Sequence, residues 1–378
     1  MSDTSIHCIN CEAAYPSAGV PYRCPDCGGL FDHKSLPDYD PAQVDASQPG
    51  IWRYRHAFGF APDVEPVSLG EGDTPLVWAK AFGREIAFKC EFLNPTGSFK
   101  DRGSSMIATW LKSRGVNEAV EDSSGNAGAS FAAYAARAGI RARIFVPAAA
   151  SGPKRWQIEA YGAELVPVPG PRSNAAEAVR REAEAGAAYA SHAFLPFNLP
   201  GYATAAYEIY EQLGGRMPGA VIVPAGQGGL LLGLGRGFEQ LRISNIRSSF
   251  SHREKAGSED ARPKMIGVQA RACAPLWAEF TGDQAAVQES ATLAEGVKVR
   301  HPARSAAVLE AVRASGGTFV AVGEEQIFPA RDALARLGLY VEPTSALVWS
   351  ALEQTFGTLP DPVVVMLTGS GLKGLPVV

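Results

Sequence analysis

Val221-Ile222-Val223-Pro224-Ala225-Gly226-Gln227-Gly228-Gly229-Leu230 reads as a short β-branched strand, a glycine loop and the start of a leucine-rich helix. In that arrangement backbone N–H groups at a helix N-terminus cradle a phosphate. A dinucleotide site is the rival. A G-x-G beginning at Gly226, however, meets Leu231 where the third glycine belongs, and no acidic residue ends the next strand. A phosphate carried by a smaller cofactor fits better.

Outward from this stretch the same pattern repeats. Arg143–Pro147, Glu164–Pro167, Met265–Val268 and Val363–Leu367 are further apolar strand candidates, and Ile86-Ala87-Phe88 is a shorter one. Ala-rich helix candidates lie at 127–138, 174–185, 202–213, 230–241, 324–337 and 344–355. Alternation of this kind predicts an α/β fold with parallel sheets covered on both faces. The region 66–378 exceeds one comfortable core, so we expect two three-layer α/β domains, the smaller at roughly 104–204 inserted into the larger. The stretch 247–262, rich in Ser, Lys, Arg, Glu and Asp, reads as a polar surface loop.

The composition of the 378 residues, 46% hydrophobic and 20% charged, excludes global disorder. A net charge of −4 gives no electrostatic reason to propose nucleic acid or an anionic membrane as partner. No run approaches the roughly 18 apolar residues of a membrane span. The polar start Met1-Ser2-Asp3-Thr4-Ser5 has no apolar stretch behind it, so the expected location is the cytoplasm.

Cys8, Cys11, Cys24 and Cys27 form C-x2-C-x12-C-x2-C, a spacing that suits one tetrahedral Zn²⁺. Residues 1–35 are too few to bury a core, so metal would supply the folding energy of this ribbon. Iron or a pair of disulfides are the alternatives. Four sulfur ligands leave no open position for catalysis, and the role expected of the metal is structural. Arg23 and Lys34 are the only Arg or Lys residues in this segment, too few for a nucleic-acid footprint. Cys90 and Cys273 stand apart and read as buried. A Pro/Asp-rich linker is expected from Leu36 to about Gln48, within a connecting segment 36–65.

Three segments besides the glycine loop carry chemistry. In Asn94-Pro95-Thr96-Gly97-Ser98-Phe99-Lys100-Asp101-Arg102-Gly103, a turn sets Lys100 at the start of a helix that Ser98 can cap. Ser123-Ser124-Gly125-Asn126-Ala127-Gly128 offers hydroxyls, an amide and free N–H groups at another helix start, a seat for a carboxylate. Thr368-Gly369-Ser370-Gly371 follows the strand ending at Leu367, with its hydroxyls toward the crevice of such folds. An amine, a carboxylate seat, a phosphate cradle and a hydroxyl for a ring nitrogen are together the parts that hold pyridoxal phosphate (PLP) and a small amino-acid substrate.

These four segments, with Val341-Glu342-Pro343-Thr344-Ser345-Ala346, resemble those of the threonine synthases and their fold-type-II PLP relatives, in the same order. The ribbon resembles one found in many threonine synthases. The resemblance implies that Lys100 forms the Schiff base with the cofactor and that Phe99 packs beside it. It implies that Asn126 bonds the ring hydroxyl and that Ser123, Ser124 and Gly125 hold the substrate carboxylate. Gly226, Gln227, Gly228, Gly229 and Leu230 would form the phosphate loop, and Thr368 would face the pyridine nitrogen. A homodimer is implied as well. The expected reaction is O-phosphohomoserine plus water to threonine plus phosphate. The alternative is an ammonia-lyase such as a serine/threonine dehydratase or a diaminopropionate ammonia-lyase.

One departure stands out. Many threonine synthases carry Asn-Ser-x-Asn-Pro-x-Arg ahead of the helix corresponding to 202–213, gripping the substrate's phosphate. Here the stretch is His192-Ala193-Phe194-Leu195-Pro196-Phe197-Asn198, without the arginine. Lys154, Arg155, Lys298, Arg300 and Arg304 are the candidate replacements.

Overall fold

The computed structural model describes residues 6–149, 152–251, 262–283 and 290–374, and side chains throughout these ranges except at 246–251. A two-stranded antiparallel ribbon comes first, β1 (Ile6–Cys8) against β2 (Phe31–His33). The body then runs β3 (Leu76–Ala81), β4 (Arg84–Lys89), α1 (Lys100–Ser113), β5 (Glu118–Glu121), α2 (Asn126–Ala138), β6 (Arg141–Pro147), α3 (Pro153–Ala160), β7 (Glu164–Val168), α4 (Arg172–Glu184), β8 (Ala188–Tyr189) and α5 (Asn198–Gln212). It continues with β9 (Ala220–Pro224), α6 (Gly229–Ser251), β10 (Lys264–Ala270), α7 (Pro275–Thr281), α8 (Ser305–Ala314), β11 (Thr318–Val322), α9 (Ile327–Arg336), α10 (Pro343–Thr355) and β12 (Val363–Met366).

Two sheets organise these elements, and the α/β class expected from the alternation is the one found. The larger has the order β11-β10-β9-β12-β4-β3, parallel except for the antiparallel β3–β4 hairpin at one edge. The smaller, β7-β6-β5-β8, is parallel throughout. Every residue of β9 and β12 is buried, which is why both read as unbroken apolar runs without alternation. The Ala-rich helix α2 lies against the small sheet and α1, and ends at Gly139, whose φ of +73° supplies the left-handed C-cap.

The stretch expected as a linker is folded onto the body. Leu36, Tyr39, Ile51, Trp52, Tyr54 and Phe58 join the core that surrounds α5, with the Tyr39 and Tyr207 ring centroids 4.5 Å apart. Its aromatic residues outweigh its Pro/Asp composition. Of the polar stretch at 247–262, residues up to Ser251 continue α6, while 252–261 lie outside the described residues. Cys90 and Cys273 are buried.

The ribbon also shares a core with the small sheet. Ile6, Tyr15 and Phe31 pack with Ile107, Trp110, Leu111 and Phe197. Asp32 accepts two hydrogen bonds from Arg236, at 2.7 and 2.8 Å. Arg304, buried beside them, donates to the carbonyls of Phe31 and Phe194.

Candidate active site

All four chemistry-bearing segments leave C-terminal ends of strands in the two sheets, where open α/β sheets form their ligand crevice. The Lys100 segment follows β4, the Ser123 loop follows β5, the glycine loop follows β9 and Thr368 follows β12.

Backbone pairing joins the first and last of these. Phe99 N–H donates to the Thr368 carbonyl at 3.0 Å, and Ser370 N–H to the Gly97 carbonyl at 2.9 Å. Lys100 is the first residue of α1, and burial, with help from the positive charge of Arg172, lowers its pKa to about 8; Glu121 works in the opposite direction. Its Nζ lies 4.9 Å from the Phe99 ring centroid. Ser98 does not cap the helix: Phe99 occupies that position without a side-chain bond, and Ser98 Oγ is buried with no partner among the described residues.

A buried ion network anchors α1 behind the lysine. Arg102 donates to Glu91 and Glu208, each in two bonds of 2.7 Å, and Lys89 donates to Glu208 at 2.7 Å. Burial alone would raise both carboxyls, but Arg102 and Lys89 reverse it and hold them below the ordinary range. The lysine thus sits on a helix whose first turn is fixed by matched charges.

Asn126 opens α2 and donates its amide to Glu342 Oε1 at 2.7 Å. Lys154 pairs with the other oxygen of Glu342 at 2.8 Å. Glu342 also lies against Gly369, where a Cβ would come within 2.3 Å of its carboxylate. Asn126 is thereby tied to the Thr368 loop. Two buried polar atoms there, Asn126 Oδ1 and Thr368 Oγ1, have no partner among the described residues.

The glycine loop opens α6. None of the N–H groups of Gly226, Gln227 and Gly228 finds a backbone acceptor among the described residues. Gly228 has φ +78°, and a Cβ there would stand 2.6 Å from Val308; one at Gly226 would stand 2.8 Å from the Gly296 carbonyl. The Gln227 side chain accepts from Ala303 N–H at 2.9 Å. Gly229 packs near the Tyr202 ring, which in turn lies 5.3 Å from that of Phe99. The loop therefore borders the lysine segment through one shared tyrosine.

On the Ser123 side, Gly125 N–H donates to Ser123 Oγ at 3.1 Å, and Ser123 N–H donates to the buried Glu121 carboxylate. Glu121 was not foreseen from the sequence, nor was His192, whose Nδ1 stands 3.9 Å from Glu121 Oε1. An acid at the end of a strand and a histidine in a loop carry no spacing signal. Of the candidate phosphate cations, Arg304 is committed to the ribbon, Lys154 to Glu342 and Arg155 to Glu159 at 3.5 Å. Arg300 is exposed and Lys298 half-buried. A further cation, Arg172 at the start of α4, is near enough to influence both Lys100 and Glu121.

The four ribbon thiols, all unpaired by disulfide, lie within 4.8 Å of one another. That is a closed donor set of four sulfurs.

A sequestered amine, an N–H cradle and two unsatisfied polar groups between two sheets define an enzyme that holds a phosphorylated carbonyl cofactor. The family model described as "Pyridoxal-phosphate dependent enzyme" matches residues 67–369, and the chain belongs to that family. It is 33% identical to a threonine synthase of Methanocaldococcus jannaschii, over 97% of this chain and 92% of the relative. It is 31% identical to one of Methanosarcina acetivorans, with the same coverage. Among solved structures, a T.th. threonine deaminase is similar with a TM-score of 0.64 and 27% identity, covering 80% of this chain and 94% of that one. The family expected from the sequence motifs is the one the comparisons show. No helix among the described residues is long and apolar enough to cross a membrane.

Proposed function

We propose that the chain is a threonine synthase, a PLP-dependent lyase converting O-phosphohomoserine and water to threonine and phosphate. The observation that carries this reading is the match to threonine synthases over 97% of the chain. Lys100 is the residue that would hold the cofactor's aldehyde, and its free amine would remove the substrate's α-proton. A pKa lowered to about 8 keeps a useful fraction of that amine unprotonated near neutral pH. When bound, the cofactor supplies the electron sink for the bonds broken at the substrate.

The remaining residues bind and orient. Gly226, Gln227, Gly228, Gly229 and Leu230 hold the cofactor phosphate, Asn126 Oδ1 and Thr368 Oγ1 meet the ring hydroxyl and ring nitrogen, and Phe99 packs alongside. Ser123, Ser124 and Gly125 hold the substrate carboxylate. A neutral hydroxyl at the ring nitrogen suits elimination over transamination. Arg172, whose charge reaches both Lys100 and Glu121, is the cation we assign to the substrate's phosphate. Cys8, Cys11, Cys24 and Cys27 hold a structural Zn²⁺, for which the mutual approach of four sulfurs is the support. Metal analysis of protein purified without added zinc tests that assignment. A homodimer in the cytoplasm is the assembly and location we assign, on the resemblance; light scattering checks the first.

An ammonia-lyase is the second reading, favoured by the absence of arginine from 192–198 and by Leu195 being fully buried there. Holoenzyme incubated with O-phosphohomoserine should yield threonine and phosphate in equal amounts, and Lys100→Ala should lack the visible cofactor band. Release of a 2-oxo acid from serine or threonine, with no phosphate from O-phosphohomoserine, would decide for the ammonia-lyase.

A further inference from the structure

We infer that Glu121 is a second proton carrier beside Lys100, and that His192 positions it. The inference rests on the threonine synthase reading for its chemistry and on the local geometry for its residues. In the overall reaction the Cα–H and Cβ–H bonds break and the Cγ–O bond to phosphate breaks with its electron pair. Water then forms a C–O bond at Cβ. Protons come from Cα, Cβ and water, and they go to Cγ, to Cα and to the departing phosphate, so the count closes. Two carbon-bound protons are in play before phosphate leaves. One amine holds one extra proton at a time, and a neighbour that takes it frees Lys100 to act again.

Glu121 ends β5, is 2% exposed, and lies near enough to Lys100 for each to shift the other's pKa. Its Oε2 accepts from Ser123 N–H. Its Oε1 faces His192 Nδ1 at 3.9 Å, an atom buried with no hydrogen-bond partner among the described residues. A chain of hydroxyls stands behind His192. Asp101 accepts from Ser130 Oγ at 2.5 Å, Ser104 and Ser130 are 2.6 Å apart, and Ser104 Oγ is 3.0 Å from His192 Nε2. Ser130 Oγ is the donor toward both Asp101 and Ser104, so its one proton is shared between them and Ser104 keeps its own for another acceptor. Nδ1 is the ring nitrogen that faces Glu121, and it is an acceptor whenever the neutral ring carries its proton on Nε2. A proton arriving on Glu121 finds a partner after a shift of about 1 Å.

The charges around Glu121 are those of Lys100 on α1, Arg172 on α4 and Asp122 beside it; His192 is kept neutral by burial, with the Lys100 charge adding to the effect. Burial raises Glu121 to about 7, against Ser123 N–H, Arg172 and Lys100, which brings it close to the value of about 8 for Lys100.

The test compares holoenzyme, Glu121→Gln and Glu121→Asp. In Glu121→Gln, cofactor affinity should stay within threefold of the parent, while kcat for phosphate release falls by about 100-fold. The limb of the pH profile near 7 should vanish, and Glu121→Asp should restore part of both. An infrared carboxyl band titrating near neutrality should be present in the parent and absent from Glu121→Gln. Exchange of the α-proton of L-threonine and L-serine into D2O, followed by NMR, needs no phosphorylated substrate and should slow at least tenfold in Glu121→Gln. If the parent releases no phosphate but that exchange still slows, the synthase reading fails and the proton-carrier assignment stands. Unchanged exchange, or an unchanged pH profile, overturns the assignment.

Discussion

The side-chain amide of Asn126 donates to Glu342 across 2.7 Å, binding the start of α2, beside the small sheet, to the start of α10, beside the large one. Glu342 is 3% exposed and also carries the ion pair with Lys154, so one carboxylate fixes the relative position of two walls of the crevice. Asn126 is left with one orientation, its amide on Glu342 and its oxygen toward the site.

Replacing Glu342 with Ala should therefore loosen cofactor binding as well as the fold. The variant leaves a buried amide and an ammonium without an acceptor, at a cost of about 1–3 kcal/mol. We expect the cofactor dissociation constant, measured by fluorescence titration, to rise roughly tenfold. Glu342→Gln keeps an oxygen for Asn126 and should show a smaller change.

The raised pKa of Glu121 makes a prediction about stability. The folded chain keeps a proton on this group, up to about pH 7, that the unfolded chain has lost above about 4.5. The contribution is fully present below pH 4.5 and fades as pH rises through 7. Glu121→Gln never has the charge to bury. Its stability relative to the parent should improve between pH 5 and pH 8 by up to about 3 kcal/mol, read from urea unfolding at fixed cofactor concentration.

Asp32 gives the opposite sign. Burial pushes its carboxyl up, but Arg236 and Arg304 outweigh that and hold it below the usual range. Its contribution is present above the ordinary carboxylate pKa near 4 and is lost as pH falls through the lowered value. Asp32→Asn leaves Arg304 buried and unpaired, a loss of about 3–5 kcal/mol. Thermal unfolding at neutral pH should show a clearly lower midpoint for the variant, and the gap should narrow on acidification.

Much of this architecture was legible from the chain. The strands at 143–147, 164–167, 221–224, 265–268 and 363–367 were visible because buried parallel strands are unbroken β-branched runs, and the helices between them because small apolar residues recur at helical spacing. Glu118–Glu121 was missed because two acidic residues bracket only two apolar ones, and Thr318–Val322 because it follows a glycine pair without a sharp apolar onset. Lys100, the serine loop, the glycine loop and Thr368 stood out because each combines turn residues with a chemical group at an element boundary. Glu342, Glu121 and His192 act through partners that no local pattern connects, such as Asn126 for the first and Ser104 for the last.

The pairing of residues 97–99 with 368–370 has a consequence for how the protein is made. Residues 97–99 are translated well ahead of their backbone partner at 368–370. A nascent chain arrested after β11 would contain the reactive amine without the strand that orients it. Cofactor capture is thereby deferred until residues 368–370 have been made, and products that stop short of them are left unable to acquire colour.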